Sequence, residues 1–342
     1  MNLKSSLFLA LALLGTSATT QAQITHGGAP FHTQELPEAH ALPTLDRDAL
    51  ADEDDVTDRF KEAPWRFGVE HEVAWSCDQD GAWTFEQGHK VWRTVVDAPG
   101  ATCMSVRFSE YHVPKGGQLF LYDAHGGDVL GSLDHRNEKP WGGLATGVVL
   151  TEKLVVEYRQ PAHIESMPTL SIDQVVQGYR LLSGWPHGEE VDRGPFGNSG
   201  ACNINVNCPE GATWATEKRS VALIVQGGFA ACTGGMVNNT ANDGTPYFLT
   251  ANHCLGNPGN WVYYFNHESA TCNGNTGPTN QSISGGTLLV NSGQSDVALI
   301  ELSNTPPADF NVQYAGWDAT GNIPSSTVGI HHPSGDLKKI CF

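Results

Sequence analysis

Cys232 and Cys254 bracket two short apolar runs separated by a polar turn, and this arrangement restricts the chain more than any other feature. The first run is Cys232-Thr-Gly-Gly-Met-Val. The turn, Asn238 to Pro246, is rich in Asn, Asp, Gly and Pro. The second run, Tyr247-Phe-Leu-Thr-Ala, leads into Asn252-His253-Cys254. Two apolar runs around such a turn read as a hairpin. A disulfide between the two cysteines would tie it shut and contribute roughly 3 kcal/mol by closing about twenty residues. Its larger consequence falls on His253, whose next residue would be covalently anchored. A general base needs that fixity, because proton transfer demands hydrogen-bond distances.

Five further motifs follow one order along the chain. They are Gly197-Asn-Ser-Gly-Ala-Cys-Asn-Ile-Asn-Val-Asn-Cys-Pro-Glu-Gly, Val237-Asn-Asn-Thr-Ala-Asn-Asp, Ser295-Asp-Val-Ala-Leu-Ile-Glu-Leu, Ala315-Gly-Trp-Asp and Ile330-His-His-Pro-Ser-Gly. With Tyr247-Phe-Leu-Thr-Ala-Asn-His-Cys, they carry a resemblance to secreted bacterial lysyl endopeptidases, and more broadly to chymotrypsin-like serine proteases. The resemblance runs from Gly197 to Ile340. It implies a double β-barrel, with the first barrel and the start of the second present here. It also implies disulfides Cys232–Cys254 and Cys208–Cys272, and a partner for Cys202 beyond this sequence. Cys341 could take that partner's place, although no family position supports it.

The implied chemistry is peptide-bond hydrolysis by a His/Asp/Ser triad, after Lys or Arg. His253 is the candidate imidazole and Asp296 the candidate carboxylate that fixes its tautomer. Asp296 stands 43 residues on, at the entry to the apolar run Asp-Val-Ala-Leu-Ile-Glu-Leu. The family places this aspartate entering a buried strand, where low dielectric strengthens its bond. Asp243, in the hairpin turn, and Asp318, after the triad strand, are weaker candidates. The family's Gly-x-Ser-Gly nucleophile turn does not occur. Ile283-Ser-Gly-Gly286 comes closest, but it lies between His253 and Asp296, so Ser284 reads as a loop serine. The expectation is a precursor truncated before its catalytic serine and inactive as it stands. Protein or peptide substrates and the chain's own propeptide are the expected partners.

The remaining sequence reads as export and processing. Leu7 to Leu14 is an apolar core too short to span a membrane, and Thr20-Gln-Ala22 offers a cleavage site, so residues 1–22 read as a signal peptide. The mature protein is then secreted, extracellular or periplasmic, with no membrane segment. Residues 23–62 read as a polar linker, with a short helix within Asp46 to Lys61. Residues 63–162 carry short alternating runs, such as Val91-Trp-Arg-Thr-Val-Val, Val148-Val-Leu and Leu154-Val-Val-Glu-Tyr, bounded by Gly, Pro and Asp. They read as a β-sandwich-like propeptide domain. Residues 163–196 read as a processing junction, with Ser171 to Leu182 a strand or short helix. The mature chain then begins at Gly194, after Arg193, or at Gly197. Residues 197–342 are the protease domain, and the whole is all-β.

Composition narrows the alternatives. Charged residues make up only 16% of the chain, and the net charge of −18 argues against nucleic-acid binding. From Gly194 onward there are nine acidic and four basic residues, so most of the acidic excess precedes the protease segment. Eight cysteines without a C-x-x-C pair favour disulfides over zinc, and Cys77 with Cys103 is an expected bridge. No phosphate loop, nucleotide fingerprint or calcium loop is present, so no cofactor or metal is expected. His331-His332 reads as structural, because adjacent strand residues face opposite ways. Trp75, Trp83, Trp92, Phe108, Tyr111 and Trp141 suit core packing, or a glycan-binding face. That face underlies the rival reading, a secreted non-catalytic binding protein carrying a decayed protease remnant.

Overall fold

The alternating runs become two packed sheets in the computed structural model, which describes residues 25–33, 35–60, 63–182, 199–200 and 202–342. The signal peptide with its Ala22 cleavage site, and the candidate mature starts at Gly194 and Gly197, lie outside the described residues. Among the described residues, no helix is long and apolar enough to cross a membrane.

The first half contains β1 (Ala39–Ala41), α1 (Arg47–Phe60), β2 (Trp65–Arg66), β3 (Gly68–Ser76), β4 (Ala82–Glu86), β5 (His89–Asp97), β6 (Met104–His112), β7 (Gln118–Asp123), β8 (Val129–Leu133), β9 (Leu144–Ala145), β10 (Lys153–Pro161) and β11 (Thr169–Gly178). One sheet runs β1–β5–β10–β7–β8, with β4 also on β5. The other runs β3–β11–β6–β9. Strand alternation sends Trp92, Leu119, Leu121, Val156 and Tyr158 of the first sheet against Val106, Phe108, Ile172 and Val175 of the second. Each such burial contributes about 1.5–3 kcal/mol. The first sheet is covered on its other face too. Residues 26–33 lie across it, with Phe31 N–H donating to buried Glu157 at 2.7 Å and the Arg159 guanidinium 4.3 Å from the Phe31 ring. The helix expected within 46–61 is α1. It is held by Asp54, 1% exposed, which accepts from Arg66, Arg180 and the Tyr179 hydroxyl.

The second half contains β12 (Ile204–Asn205), β13 (Val221–Gln226), β14 (Ala230–Val237), β15 (Tyr247–Thr250), β16 (Trp261–Phe265), β17 (Ser282–Ser284), β18 (Gly286–Ser292), β19 (Val297–Leu302), β20 (Gly329–His331) and β21 (Lys339–Cys341). Its main sheet runs β17–β16–β13–β14–β15–β19–β18. The two end strands are consecutive in the chain and meet at Gly285, so the sheet curls round an interior of Ile224, Met236, Phe248, Tyr263, Phe265 and Ile300. Gly285 sits at φ +79°, and a Cβ there would come within 2.8 Å of Trp141. The fold is all-β, with the curled barrel sheet of a chymotrypsin-like protein. A smaller sheet, β12–β21–β20, follows the barrel.

Three expectations change on contact with the structure. Cys77 and Cys103 are both buried and unbridged. They flank strands on either side of β11, but at opposite ends: Ser76 pairs with Ser171 and Met104 with Gln177. Six residues of strand separate those positions, on the order of 20 Å, whereas a disulfide needs Cα atoms under about 7 Å apart. Second, Ser171 to Gly178 belongs to β11, the strand between β3 and β6, so residues read as junction contribute to the sandwich. Third, Val148-Val-Leu makes only an isolated bridge, Met104 with Val149. Of the six aromatics, Trp92, Phe108 and Tyr111 are core. Trp75 packs against that core, and Trp83 and Trp141 remain partly exposed at separate places.

Candidate active site

Strand register brings the two candidate residues together. β15 pairs antiparallel with β19, Thr250 opposite Ala298. The residues just after Thr250 and just before Ala298 therefore share one end of the sheet. His253 occupies a single turn, Asn252–Cys254, and Asp296 precedes β19 in a left-handed conformation at φ +49°. Such a φ is uncommon outside glycine, and Asp tolerates it better than most residues. The conformation turns the carboxylate back toward the histidine turn.

Both oxygens of Asp296 are engaged. The His253 backbone N–H donates to Oδ1 at 2.8 Å, and His253 Nδ1 lies 2.7 Å from Oδ2. The two bonds fix the ring with Nδ1 as donor and leave Nε2 to take a proton. They also hold the Asp296 carboxyl below its ordinary range, the backbone N–H of His253 first and its ring second. The pair is more open than a buried strand entry implies: the side chains are 37% and 51% exposed. With the Asp296 side chain about half exposed, its bond to the histidine forms near solvent, in a higher dielectric than a buried strand gives.

The anchoring of His253 follows from the hairpin. Cys232 on β14 is bridged to Cys254, and Cys208 to Cys272, the two pairings the resemblance implies. The carbonyl of Cys254 accepts from the Gln226 side chain, and the Leu255 N–H closes the turn on Asn252 O at 2.9 Å. Asn252 Oδ1 accepts from Asn291 Nδ2 at 2.7 Å, tying the histidine turn to the end of β18. Sequence reasoning missed Gln226, Asn252 and Asn291. Only the position of Asn252 next to the histidine hinted at a role.

The other candidates fall elsewhere. Asp243 stays in the hairpin turn, accepting from Thr245 and Asn239. Asp318 accepts from Thr320 N–H on an exposed loop. Ser284 is buried on β17, and its carbonyl accepts from Ser303. Among the described residues, no serine hydroxyl bonds to His253. His332 is buried, with Nδ1 on Asp336 O at 2.9 Å and its ring stacked on His267. Desolvation pushes it well below the usual histidine range. His331 ends β20. Cys232, His253 and Cys254 place ligand-type atoms close together, but the disulfide occupies both sulfurs. Beside the histidine turn, a cavity of about 410 Å³ opens between α1 and β2 on one side and Phe229, Leu255 and Gly256 on the other.

Residues 196–342 match the family described as "Lysyl endopeptidase, C-terminal domain". A lysyl endopeptidase of Pseudomonas aeruginosa is 30% identical over 239 residues, which make up 64% of this chain and 48% of that protein. The chain spans about half the length of that curated relative and is related to the lysyl endopeptidase proteases.

Proposed function

We propose that this chain is the precursor form of a secreted serine endopeptidase that cleaves proteins or peptides after Lys or Arg. His253 is the general base. Asp296 holds its tautomer and stabilises the imidazolium that forms when a serine hydroxyl loses its proton. The sandwich is the propeptide, and the protease unit begins near residue 197. The observation that carries the reading is the two-point grip of Asp296 on His253, through ring and backbone together. A decayed remnant has no reason to keep that grip beside the Cys232–Cys254 bridge, so the non-catalytic alternative is not favoured.

The nucleophile and the acidic pocket that would recognise a lysine belong to the second barrel. Residues 1–342 alone are therefore expected not to hydrolyse peptides, since loss of the serine costs on the order of 10⁶ in turnover. Two experiments test this. A fluorophosphonate probe should label no residue of the chain, and covalent labelling would overturn the inactivity. Sequencing the coding DNA past the codon for Phe342 should reveal a Gly-x-Ser-Gly turn, in frame or after a frameshift. A stop with no such segment nearby would remove the protease reading.

A further inference from the structure

The chain carries 37 acidic and 19 basic residues, yet one cavity is lined without a carboxylate. Its volume is about 160 Å³, and it opens where the sandwich meets the barrel. That joint runs along the outward faces of β13 and β16, where Leu223 and Val262 pack with Phe67 and Val148. Separate segments surround the cavity. His26 comes from the N-terminal stretch that lies over the first sheet. Arg136, Asn137 and Lys139 come from the loop between β8 and β9. Ser284 and Asn304 come from the barrel, at the ends of β17 and β19.

The polar groups around this space are cationic, or have their acceptor ends already taken. Lys139 Nζ donates to Ser303 Oγ at 2.8 Å and to Asn304 Oδ1 at 3.1 Å. An ammonium has three N–H groups, so one is left over. Burial pushes Lys139 down to about 8, and no neighbouring charge offsets that loss. Asn137 Oδ1 accepts from Asp134 N–H at 2.9 Å, and Asn304 Oδ1 also accepts from Ser303 Oγ at 3.1 Å. Arg136 spends Nε and one terminal nitrogen on the Asp134 carboxylate, at 3.1 and 2.7 Å. That pair cancels in charge and leaves the second terminal nitrogen over. His26 Nε2 is buried without a hydrogen-bond partner, with Asp134 Oδ1, already engaged by Arg136, 3.5 Å away. A buried charge is costly unless it is paired, and a counter-charge for Lys139 has a place to sit in this cavity.

We propose that the cavity binds one small tetrahedral oxyanion, inorganic phosphate or sulfate, held by Lys139, Arg136 and His26. Donors reach it from separate segments, which suits oxygens that point outward in four directions. A carboxylate offers two oxygens in one plane. The volume lies well below the roughly 300 Å³ at which pockets for larger organic ligands begin, so the occupant is the free ion and not a phosphorylated metabolite. The site shares no residue with the His253–Asp296 pair and does not depend on the protease reading.

The test is titration of the full chain with inorganic phosphate at neutral pH, with ionic strength held constant by sodium chloride. The phosphorus resonance should broaden saturably with one ion per chain. Sulfate should compete, and acetate should not. The Cε resonance of Lys139, followed by NMR, should titrate near pH 8 without phosphate and move upward with it, because an anion favours the charged ammonium. Lys139→Met should weaken binding about tenfold, the effect of losing one charge-assisted bond. Arg136→Lys keeps a counter-charge for Asp134 but loses the guanidinium fork, and should also weaken binding. Lys115→Met, on an exposed turn, should change nothing. Absence of saturable broadening would overturn the proposal. So would binding that is unchanged in both Lys139→Met and Arg136→Lys, or acetate competing as well as sulfate. None of these readouts requires catalysis, so the proposal and the protease reading stand or fall separately.

Discussion

Removing the two disulfides one at a time gives the most quantitative test of how the hairpin is held. The Cys232–Cys254 bridge spans 22 residues and Cys208–Cys272 spans 64. The chain-entropy relation gives about 3 kcal/mol for the first loop and about 4 kcal/mol for the second. The perturbations are the double variants C232A/C254A and C208A/C272A, which leave no new unpaired thiol. Urea unfolding followed by tryptophan fluorescence should show both losses, the longer loop losing about 1 kcal/mol more. The shorter bridge carries a second, local effect, because Cys254 adjoins His253. In C232A/C254A the His253 ring resonances should broaden as its turn loosens. In C208A/C272A they should stay sharp, because that bridge lies elsewhere in the barrel unit. A C232A/C254A loss below about 1 kcal/mol with unchanged His253 resonances would refute the claim that this disulfide fixes the base.

Further expectations concern charge. His332 is buried and held neutral, so the unfolded chain takes up a proton near pH 6.5 that the folded chain refuses. Stability should therefore fall as pH drops below about 6.5, and His332→Gln should flatten that slope between pH 7 and 5; an unchanged slope would count against it. Asp296 has a depressed folded pKa, so its bonds to His253 persist above the ordinary carboxylate range and are lost only as pH falls through the lower folded value. The carboxyl carbon of Asp296 should titrate below about 3.9 by NMR and move upward in His253→Ala; a normal midpoint in the wild type would contradict the two-point grip. Glu268 sits between Lys218 and the fully buried Lys338, 3.3 Å from the latter. Glu268→Leu should cost about 3–5 kcal/mol by stranding buried ammonium groups. Lys338→Met, which leaves the Lys218 pair intact, should cost less, and the reverse order in urea unfolding would overturn this reading.

The pairing of His253 with Asp296 was legible because its signals are local. A histidine next to a cysteine, a partner cysteine before two glycines, and an aspartate opening an apolar run each survive inspection of a few residues. The helix at 47–60 and most strands were legible for the same reason. β11 was not. Leu170 and Ile172 alternate, but the register shifts between Ile172 and Gln174, after which Val175 and Val176 are both buried. The bulge breaks the period of two that marks a strand. The Cys77–Cys103 expectation failed because sharing a β-rich stretch does not say which end of a sheet a residue occupies. Buried Lys338 and Lys339 were invisible because two of their partners, the carboxylate of Glu268 and the amide oxygen of Asn205, come from distant segments. The sandwich–barrel joint was hidden likewise. A strand apolar on both faces shows that something covers it, without showing what.

The most direct test of the account is hydrolysis of a peptidyl-lysine amide by the protein made from the complete coding region, compared with its Asp296→Asn and His253→Ala variants. The account predicts lysine-directed cleavage that falls by about 10⁴ when the aspartate can no longer fix the histidine tautomer, and by about 10⁶ when the base is removed. Cleavage that survives either substitution, or none at all from a protein carrying a Gly-x-Ser-Gly turn, would contradict it.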